Sequence, residues 1–215
     1  MTSVSTEARN TDDGASTGAQ TSAPTGGSAA QRERRRRILD ATISLAAEGG
    51  FDAVQMRAVA EQAEVALGTL YRYFPSKIHL LVSALAREFT KDVDRSAIRA
   101  TPGETAHERI MYVLNRRTRA LQKQPKLTEA LVRAFMFADQ SVTGEIHEVG
   151  TSLTTVIARA MHGTPTHGEV TEEEAAIIRI ISDVWLSALI SWVTGRMDEK
   201  DVEKSIDVAV RLLLR

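Results

Sequence analysis

Apolar residues recur three and four positions apart along almost the whole chain after residue 31, and no stretch shows the strict alternation of a half-buried strand. The first helical stretch ends at Gly49-Gly50, because paired glycines end helical periodicity. Two short helices follow: one carries Met56 and Val59 on one side, and the other runs from about Ala66 to Tyr73. The pattern therefore predicts an all-α chain that opens with one long and two short helices.

A long fourth helix follows Pro75, and Ser76 is suited to be its N-cap. Pro102-Gly103 interrupts the pattern again. Thr171 and Glu174 have the spacing of a capping box, and the helix that they open is apolar on most sides, so we expect it inside a bundle. The periodicity beyond Gly103 predicts helices at 104–123, 126–138, 142–161, 171–194 and 199–214.

The first 30 residues differ in composition from the rest, being rich in Thr, Ser, Gly and Ala. Such a segment cannot bury enough apolar surface to offset its ordering entropy, so we expect a disordered tail, and it lacks the apolar region of a secretory signal. We accordingly divide the chain into a tail at 1–30, a three-helix module at 31–76 and a larger helical bundle at 77–215.

The absence of cysteine excludes disulfides and thiolate metal sites and suits a reducing cytoplasm. The most apolar stretch, Val184 to Val193, has about half of the roughly 20 residues that a membrane span needs. We therefore expect a soluble cytoplasmic protein with no membrane partner.

Two short helices joined by a tight turn after a longer helix form the outline of a helix-turn-helix. If Leu70 faces the preceding helices, Leu67, Gly68, Thr69 and Arg72 point outward. That surface is small, partly apolar and carries one hydroxyl, so it suits close approach to base edges and thymine methyl groups. Tyr71, Tyr73 and Lys77 supply hydroxyl and ammonium groups of the kind that contact phosphates.

The charge distribution agrees with this interpretation although the net charge is only −1. Residues 32–37 hold five arginines and one glutamate, a local net charge of +4 at the edge of the proposed reading helix. A run of charge is often only a solvated helix start, but its position favours contact with DNA.

The segments Arg57-Ala58-Val59-Ala60, Gly68 to Phe74 and Ser76-Lys77 resemble the reading head of the TetR family of transcriptional repressors, over about residues 34–81. Two positions depart from the common pattern: Ala66 replaces a frequent Ser cap, and Gln55 stands where Thr is frequent but can still reach a phosphate through its amide. The resemblance implies a helix-turn-helix DNA-binding domain at 31–76 in a bacterial, nucleoid-associated protein that binds double-stranded operator DNA. The expected DNA contacts are Arg34, Arg35, Gln55, Arg57, Leu67, Gly68, Thr69, Tyr71, Arg72, Tyr73 and Lys77.

The resemblance extends to a narrower group, the TetR-type repressors of actinobacterial cholesterol catabolism. It is carried by Val54–Ala60, Leu67–Lys77 and His79–Leu85, and in the C-terminal half by Phe137-Ala138-Asp139 and Ile181–Leu186. It implies repression of sterol-degradation genes and release from the operator by a steroid acid-CoA thioester.

The helices between 104 and 194 could enclose a cavity for an apolar small-molecule effector. Arg117 falls on the same apolar stripe as Leu114. Burying an unpaired Arg is energetically costly, so two arrangements are possible. Either a carboxylate such as Asp183 pairs with Arg117, or Arg117 lies at a pocket mouth and binds an anionic ligand there. Arg116 and Arg119 could then meet the phosphates of a CoA tail. Aromatic and Met residues at helical spacing are otherwise ordinary core residues. The candidate lining residues are Met111, Leu114, Arg117, Phe135, Met136, Phe137, Trp185, Leu189 and Trp192.

The last two helices carry more apolar surface than one body needs, so a pair from each subunit would form a four-helix homodimer interface. Two-fold symmetry then predicts a palindromic operator, with reading helices about one DNA turn (~34 Å) or a multiple apart. The expected interface residues are Trp192, Val202, Ile206, Val210 and Leu213.

No catalytic residue, metal site or cofactor is expected, because the five histidines are scattered and the chain lacks a cysteine nucleophile and a phosphate-binding glycine loop. The alternative is a helical acyl-CoA or lipid-binding protein or enzyme whose helix-turn-helix is only structural, which would show no salt-sensitive affinity for DNA. A sequence-neutral basic DNA binder fits poorly, because the charge balance outside residues 32–37 is acidic.

Overall fold

The computed structural model describes residues 25–98, 100–164 and 169–214, and within these ranges the regular elements are all helices, which confirms the all-α prediction. The helices are α1 (Thr25–Ala53), α2 (Met56–Gln62), α3 (Leu67–Tyr73), α4 (Lys77–Ile98), α5 (Ala106–Gln122), α6 (Pro125–Met136), α7 (Thr143–His162), α8 (Glu172–Val193) and α9 (Glu199–Leu213), with a 3-10 turn at Gln140–Val142 before α7.

The N-terminal helix begins earlier than predicted and is interrupted where the glycine pair predicts. Helix α1 begins at Thr25, inside the segment assigned to the tail, whose residues 1–24 lie outside the described part of the chain. At its other end, Gly50 has a non-helical backbone with φ of 71°, and one further turn leads to Ala53. The regular helix therefore ends at the glycine pair, as predicted, and a separate short turn continues to Ala53.

Side-chain caps fix several helix starts where the sequence placed them. Thr105 with Glu108 and Thr171 with Glu174 form reciprocal capping boxes at α5 and α8. The Ser76 hydroxyl accepts a hydrogen bond from the His79 N–H at 3.1 Å, which satisfies a backbone donor in the first turn of α4. The predicted starts of α4 and α8 are thus explained by local hydrogen bonds.

Helices α1 to α3 pack as a small head on the bundle formed by α4 to α9. Leu39, Val59, Leu70 and Phe74 are almost fully buried where the three helices of the head meet. Leu70 faces inward as expected, so the opposite side of α3 is open to solvent.

Helix α8 is only partly enclosed by the rest of the chain. Ile178, Ile181 and Trp185 are buried, whereas Ile180 is 43% exposed. Among the described residues this one helix is long and apolar enough to cross a membrane, but it is the kind of helix that also forms the core of soluble bundles, and 28% of its most apolar window is buried. Within a single chain, α8 therefore lies inside the bundle along one face, as expected, and leaves its other face open.

Three of the residues predicted to form the dimer interface, all on α9, point into the core of their own chain. Val202, Ile206 and Val210 are fully buried inside their own chain, because this stripe of α9 packs on α5 and α8. Trp192 and Leu213 are half-buried. The apolar residues that α9 leaves exposed are Val208, at 47%, and Leu212, at 55%.

Candidate DNA interface and ligand cavity

The turn between α2 and α3 is closed by backbone hydrogen bonds. The Val65 N–H donates to the Ala60 carbonyl at 3.0 Å, and Glu64 adopts a left-handed conformation with φ of 53°. The N-cap Ala66 makes no side-chain cap, as its methyl group requires, but its carbonyl accepts from the Thr69 N–H at 2.8 Å and the Leu70 N–H at 3.1 Å. The reading helix therefore starts without the hydroxyl cap that a Ser would give.

The outward side of α3 carries the predicted reading surface. Leu67 is 40% exposed and Tyr71 47% exposed, Arg72 is exposed, and Thr69 is half-buried. Gly68 lies between them, and a Cβ added there would meet no atom within 4 Å. The backbone at Gly68 is therefore the point of α3 that a flat molecular surface can approach most closely.

The arginine run at the start of α1 divides into free and engaged side chains. Arg34 of α1 lines a groove of about 370 Å³ together with Arg72 and Tyr73. The N-terminal part of α1 and the end of α3 therefore contribute to one basic surface. Arg35 lies with its guanidinium carbon 5.5 Å from the centre of the Phe74 ring. Arg37 lies 3.7 Å from Glu64.

The predicted contacts on α2 are accessible. Gln55 is exposed at the N-cap of α2 and makes no side-chain cap bond there. Arg57 is exposed in the first turn and forms an ion pair with Glu61 at 3.2 Å. Both side chains lie in the head formed by α1 to α3.

Lys77 is held against an aromatic ring. Its Nζ lies 4.0 Å from the centre of the Phe51 ring, and burial lowers the pKa of this ammonium, an effect opposed by the nearby Asp52 carboxylate. The guanidinium of Arg133, from α6, lies 4.3 Å from the same ring. Lys77 thus touches the junction between head and bundle, and contact with a DNA phosphate remains a prediction for it.

The C-terminal turn of α1 is fastened to α6 by further polar contacts. The Phe51 N–H donates to the Glu129 carboxylate at 3.2 Å, and the Lys126 ammonium donates to the Glu48 carbonyl at 2.8 Å. This seam between α1 and α6 was not predicted, because contacts separated by 78 residues leave no periodic signal in the sequence.

A cavity of about 640 Å³ opens between α4, α5, α7 and α8. Three of the predicted lining residues, Leu114, Arg117 and Trp185, do line it. The sequence missed its other walls, which include Phe89, Asp92, Arg95, Tyr112, Leu153 and Val156.

The other six predicted lining residues do not reach this cavity. Met111 and Leu189 are buried in the core, and Phe135 and Trp192 are partly buried against it. Met136 is 55% exposed and Phe137 67% exposed, because α6 ends at Met136 and leaves both side chains at the surface. Apolar character alone therefore does not distinguish residues that line the cavity from residues of the core or of the protein surface.

Arg117 pairs with Asp92 from α4 and not with Asp183, which is exposed. Its Nη1 donates to the Asp92 carboxylate at 2.7 Å, and its guanidinium carbon lies 4.4 Å from the centre of the Phe89 ring. Burial lowers the pKa of the guanidinium, and Asp92 opposes that effect. The Arg117 Nε is buried without a hydrogen-bond partner among the described residues.

Helix α4 joins the two sites. Lys77 in its first turn contacts Phe51 of the head, and Arg87 forms an ion pair with Asp40 of α1 at 2.8 Å. The last turns of the same helix contribute Phe89 and Asp92 to the cavity wall. Helix α4 therefore contacts both the head and the wall of the cavity.

A polar cluster fastens the same helix to α7. The His79 Nε2 lies 2.9 Å from the Glu145 carboxylate, and the Ser83 hydroxyl donates to that carboxylate at 3.3 Å. Two further histidines pair with carboxylates, His107 with Asp207 and His162 with Glu174. Within the described residues no group of three His, Asp or Glu side chains is arranged as a metal site.

Comparison with known proteins places both halves of the chain in one family. Residues 38–84 match the bacterial regulatory proteins of the tetR family, and residues 103–213 match the tetracyclin repressor-like C-terminal domain. The HTH-type transcriptional repressor KstR of Mycolicibacterium smegmatis is 54% identical over 188 residues, which cover 87% of this chain and 90% of that protein.

Solved structures agree with this assignment. A TetR transcriptional regulator from Rhodococcus sp. RHA1 superposes with a TM-score of 0.78 at 32% identity, covering 86% of this chain and 97% of that one. Thermus thermophilus FadR, a TetR-family repressor crystallised with lauroyl-CoA, shares the fold with a TM-score of 0.63 at 17% identity, covering 84% and 93%. The chain belongs to the TetR family and is a transcriptional repressor similar to KstR, not an enzyme.

Proposed function

We propose that this repressor binds a palindromic operator as a homodimer, controls genes of sterol catabolism, and is released by a steroid acid-CoA thioester. The observation that carries the proposal is the path of α4, which contacts the head at Lys77 and lines the cavity at Phe89 and Asp92. A ligand that prefers one position of α4 shifts the equilibrium between operator-binding and released states.

The cavity suits an apolar ligand that carries a polar or anionic end. Its volume of about 640 Å³ lies in the range of sites for drug-sized molecules. Phe89, Leu114, Leu153, Val156 and Trp185 supply apolar walls for a ring system.

The similarity to KstR supports the assignment to sterol catabolism, and the lauroyl-CoA complex of Thermus FadR supports a CoA thioester as the class of effector. Both are properties of those proteins, and their transfer to this chain is part of the proposal. A cytoplasmic location in association with the nucleoid is part of the same proposal.

The homodimer is proposed to form through the faces of α8 and α9 that the single chain leaves open. Ile180, Val208 and Leu212 are large apolar side chains exposed on these two helices. An exposed apolar surface of this kind is typical of a protein–protein interface. A two-fold axis through it would present two copies of α3 to successive turns of one DNA face.

The test is a mobility-shift assay with the DNA upstream of the repressor's own gene, in the presence and absence of a cholestenoyl-CoA thioester. We expect specific binding that the thioester abolishes and that free CoA does not. Binding that ignores the thioester would remove the sterol effector, and the absence of specific binding would contradict the repressor assignment for this DNA.

A further inference from the structure

Three side chains connect the first turn of α7 to the end of the reading helix α3. The Glu145 carboxylate lies 2.9 Å from the His79 Nε2. Because a carboxylate only accepts hydrogen bonds, the imidazole donates through Nε2. The His79 ring also packs edge-to-face against Phe74, with ring centres 6.1 Å apart and ring planes inclined at 73°. Phe74 is the C-cap of α3, so one imidazole contacts both α7 and the end of α3.

The contact between His79 and Glu145 is shielded from solvent. The His79 side chain is 17% exposed and that of Glu145 is 21% exposed. By comparison, both side chains of the surface ion pair between Arg36 and Glu33 are more than half exposed. The Ser83 hydroxyl donates to the Glu145 carboxylate at 3.3 Å. Water competes less for a partly buried hydrogen bond, so this contact holds α4 to α7 more firmly than a surface ion pair would.

Helix α7, which carries Glu145 in its first turn, also forms part of the cavity wall. Leu153 and Val156 line the cavity. They follow Glu145 by eight and eleven residues, which correspond to about 12 Å and about 16 Å along a helix. One helix therefore contacts the cavity with its middle turns and His79 with its first turn.

A second polar contact fastens α7 to α4 beside the cavity. The Arg159 Nη1 donates to the Val93 carbonyl at 2.8 Å and to the Ser96 hydroxyl at 2.9 Å. Ser96 itself lines the cavity. Because α4 and α7 are joined near both of their ends, we expect the two helices to move together.

We propose that His79 and Glu145 are positioning residues for the release of DNA, which transmit a displacement of α7 at the cavity to the head. A ligand that displaces the wall at Leu153 moves α7 as a rigid element, because its backbone hydrogen bonds lie within the helix. Glu145 then moves His79, and with it Phe74 at the end of α3. The proposal rests on the function proposed above, and it adds a route through α7 to the one along α4.

The test measures the coupling between effector and operator in the full chain. The coupling factor is the affinity of a cholestenoyl-CoA thioester for the free repressor divided by its affinity for the operator-bound repressor. Anisotropy titrations of labelled operator at increasing thioester concentrations give this factor. For Glu145→Ala, and for His79→Phe, which keeps a ring against Phe74, we expect a coupling factor at least about fivefold lower than in the wild type. Thioester affinity without DNA should be unchanged.

The two substitutions are expected not to add. If both break one contact, the double variant has the same coupling factor as each single variant. His107→Phe is the matched control, because His107 forms the same kind of pair with Asp207, at 2.9 Å, between α5 and α9. A coupling factor equal to that of the wild type in either single variant would overturn the proposal. Multiplicative effects in the double variant, or an equal loss in His107→Phe, would overturn it as well.

Amide hydrogen exchange without effector or DNA separates this proposal from the proposed function. We expect exchange at residues 76–80 to be several-fold faster in Glu145→Ala than in the wild type, and exchange at residues 106–122 to be unchanged. Equal exchange at residues 76–80 in the two proteins would overturn the proposal. A wild type that the thioester does not release from the operator would contradict the proposed function, and the exchange rates would still decide whether Glu145 holds the first turn of α4.

Discussion

The backbone N–H of Phe51 donates a hydrogen bond to the Glu129 carboxylate at 3.2 Å, which ties the last turn of α1 to α6. The Phe51 ring is also contacted by the Lys77 ammonium from α4 and the Arg133 guanidinium from α6. Three helices therefore meet at one residue at the base of the head, and the orientation of the head depends on this seam.

Removing the carboxylate from the seam is expected to affect DNA binding through the position of the head. For Glu129→Ala we expect a loss of about 1 kcal/mol in the free energy of unfolding, because the Phe51 N–H loses a charged acceptor. Operator affinity, measured by fluorescence anisotropy, is expected to fall several-fold while thioester affinity is retained. Glu172→Ala, at an exposed site on α8, is the control, and equal operator affinity in both variants would exclude a role for the seam.

The reading helix is expected to tolerate no side chain at Gly68 when it is bound to DNA. A Cβ at this position meets nothing within the chain, and Ala is favoured over Gly in a helix by about 1 kcal/mol, so Gly68→Ala should not lower the melting temperature. Operator affinity is expected to fall at least about tenfold, because the methyl group separates α3 from the base edges.

Gly150→Ala gives the matched control, since Gly150 is an exposed glycine of α7 with equally open surroundings. It should show the same small gain in stability with no change in operator affinity. If Gly68→Ala binds the operator as tightly as Gly150→Ala, the backbone of α3 does not approach the DNA closely.

The two cations Arg72 and Lys77 are expected to strengthen operator binding, and the salt dependence of that binding shows which of them contacts a phosphate. Both Arg72→Ala and Lys77→Ala should weaken binding, and removing a cation that neutralises one phosphate should flatten the slope of log K against log salt by about one unit. An unchanged slope for Lys77→Ala, together with a lower melting temperature, would mean that Lys77 supports Phe51 and does not contact a phosphate.

The sequence was sufficient to predict most helices and the exposed face of α3, because these depend on local patterns. Capping boxes, glycines and the turn after α2 act over a few residues, and Leu70 faces inward as its periodicity required. Periodicity identifies which face of a helix is apolar but not which neighbour covers it. For that reason Val202 was assigned to a dimer interface although it is buried in its own chain.

The ligand cavity was harder to predict for a related reason. Arg117 was recognised as a buried cation, but its partner Asp92 lies 25 residues earlier on another helix. Phe135 and Phe137 have the composition of pocket residues, yet the end of α6 places them away from the cavity. Only the packing of α4 against α5 and α7 shows which side chains form its walls.

Dimer formation is expected to depend on the exposed face of α9. Leu212→Glu places a charge on the apolar surface that α8 and α9 leave open, so we expect sedimentation analysis to show a monomer with operator affinity reduced by more than about tenfold. Met136→Glu makes the same change at an exposed apolar residue of α6, outside the proposed interface. A dimer of unchanged stability in Leu212→Glu would place the subunit contact elsewhere.

A thioester in the cavity is proposed to release the operator by acting on α4. The most direct measurement is fluorescence anisotropy of labelled operator DNA bound to the wild type and to Leu153→Trp, titrated with a cholestenoyl-CoA thioester. Leu153 lines the cavity, so the larger indole side chain of a Trp at this position should exclude the ligand while the head remains intact. We predict full release from the wild type and retention of DNA by the variant at thioester concentrations that saturate the wild type. Equal release from both proteins, or no release from the wild type, would contradict the account.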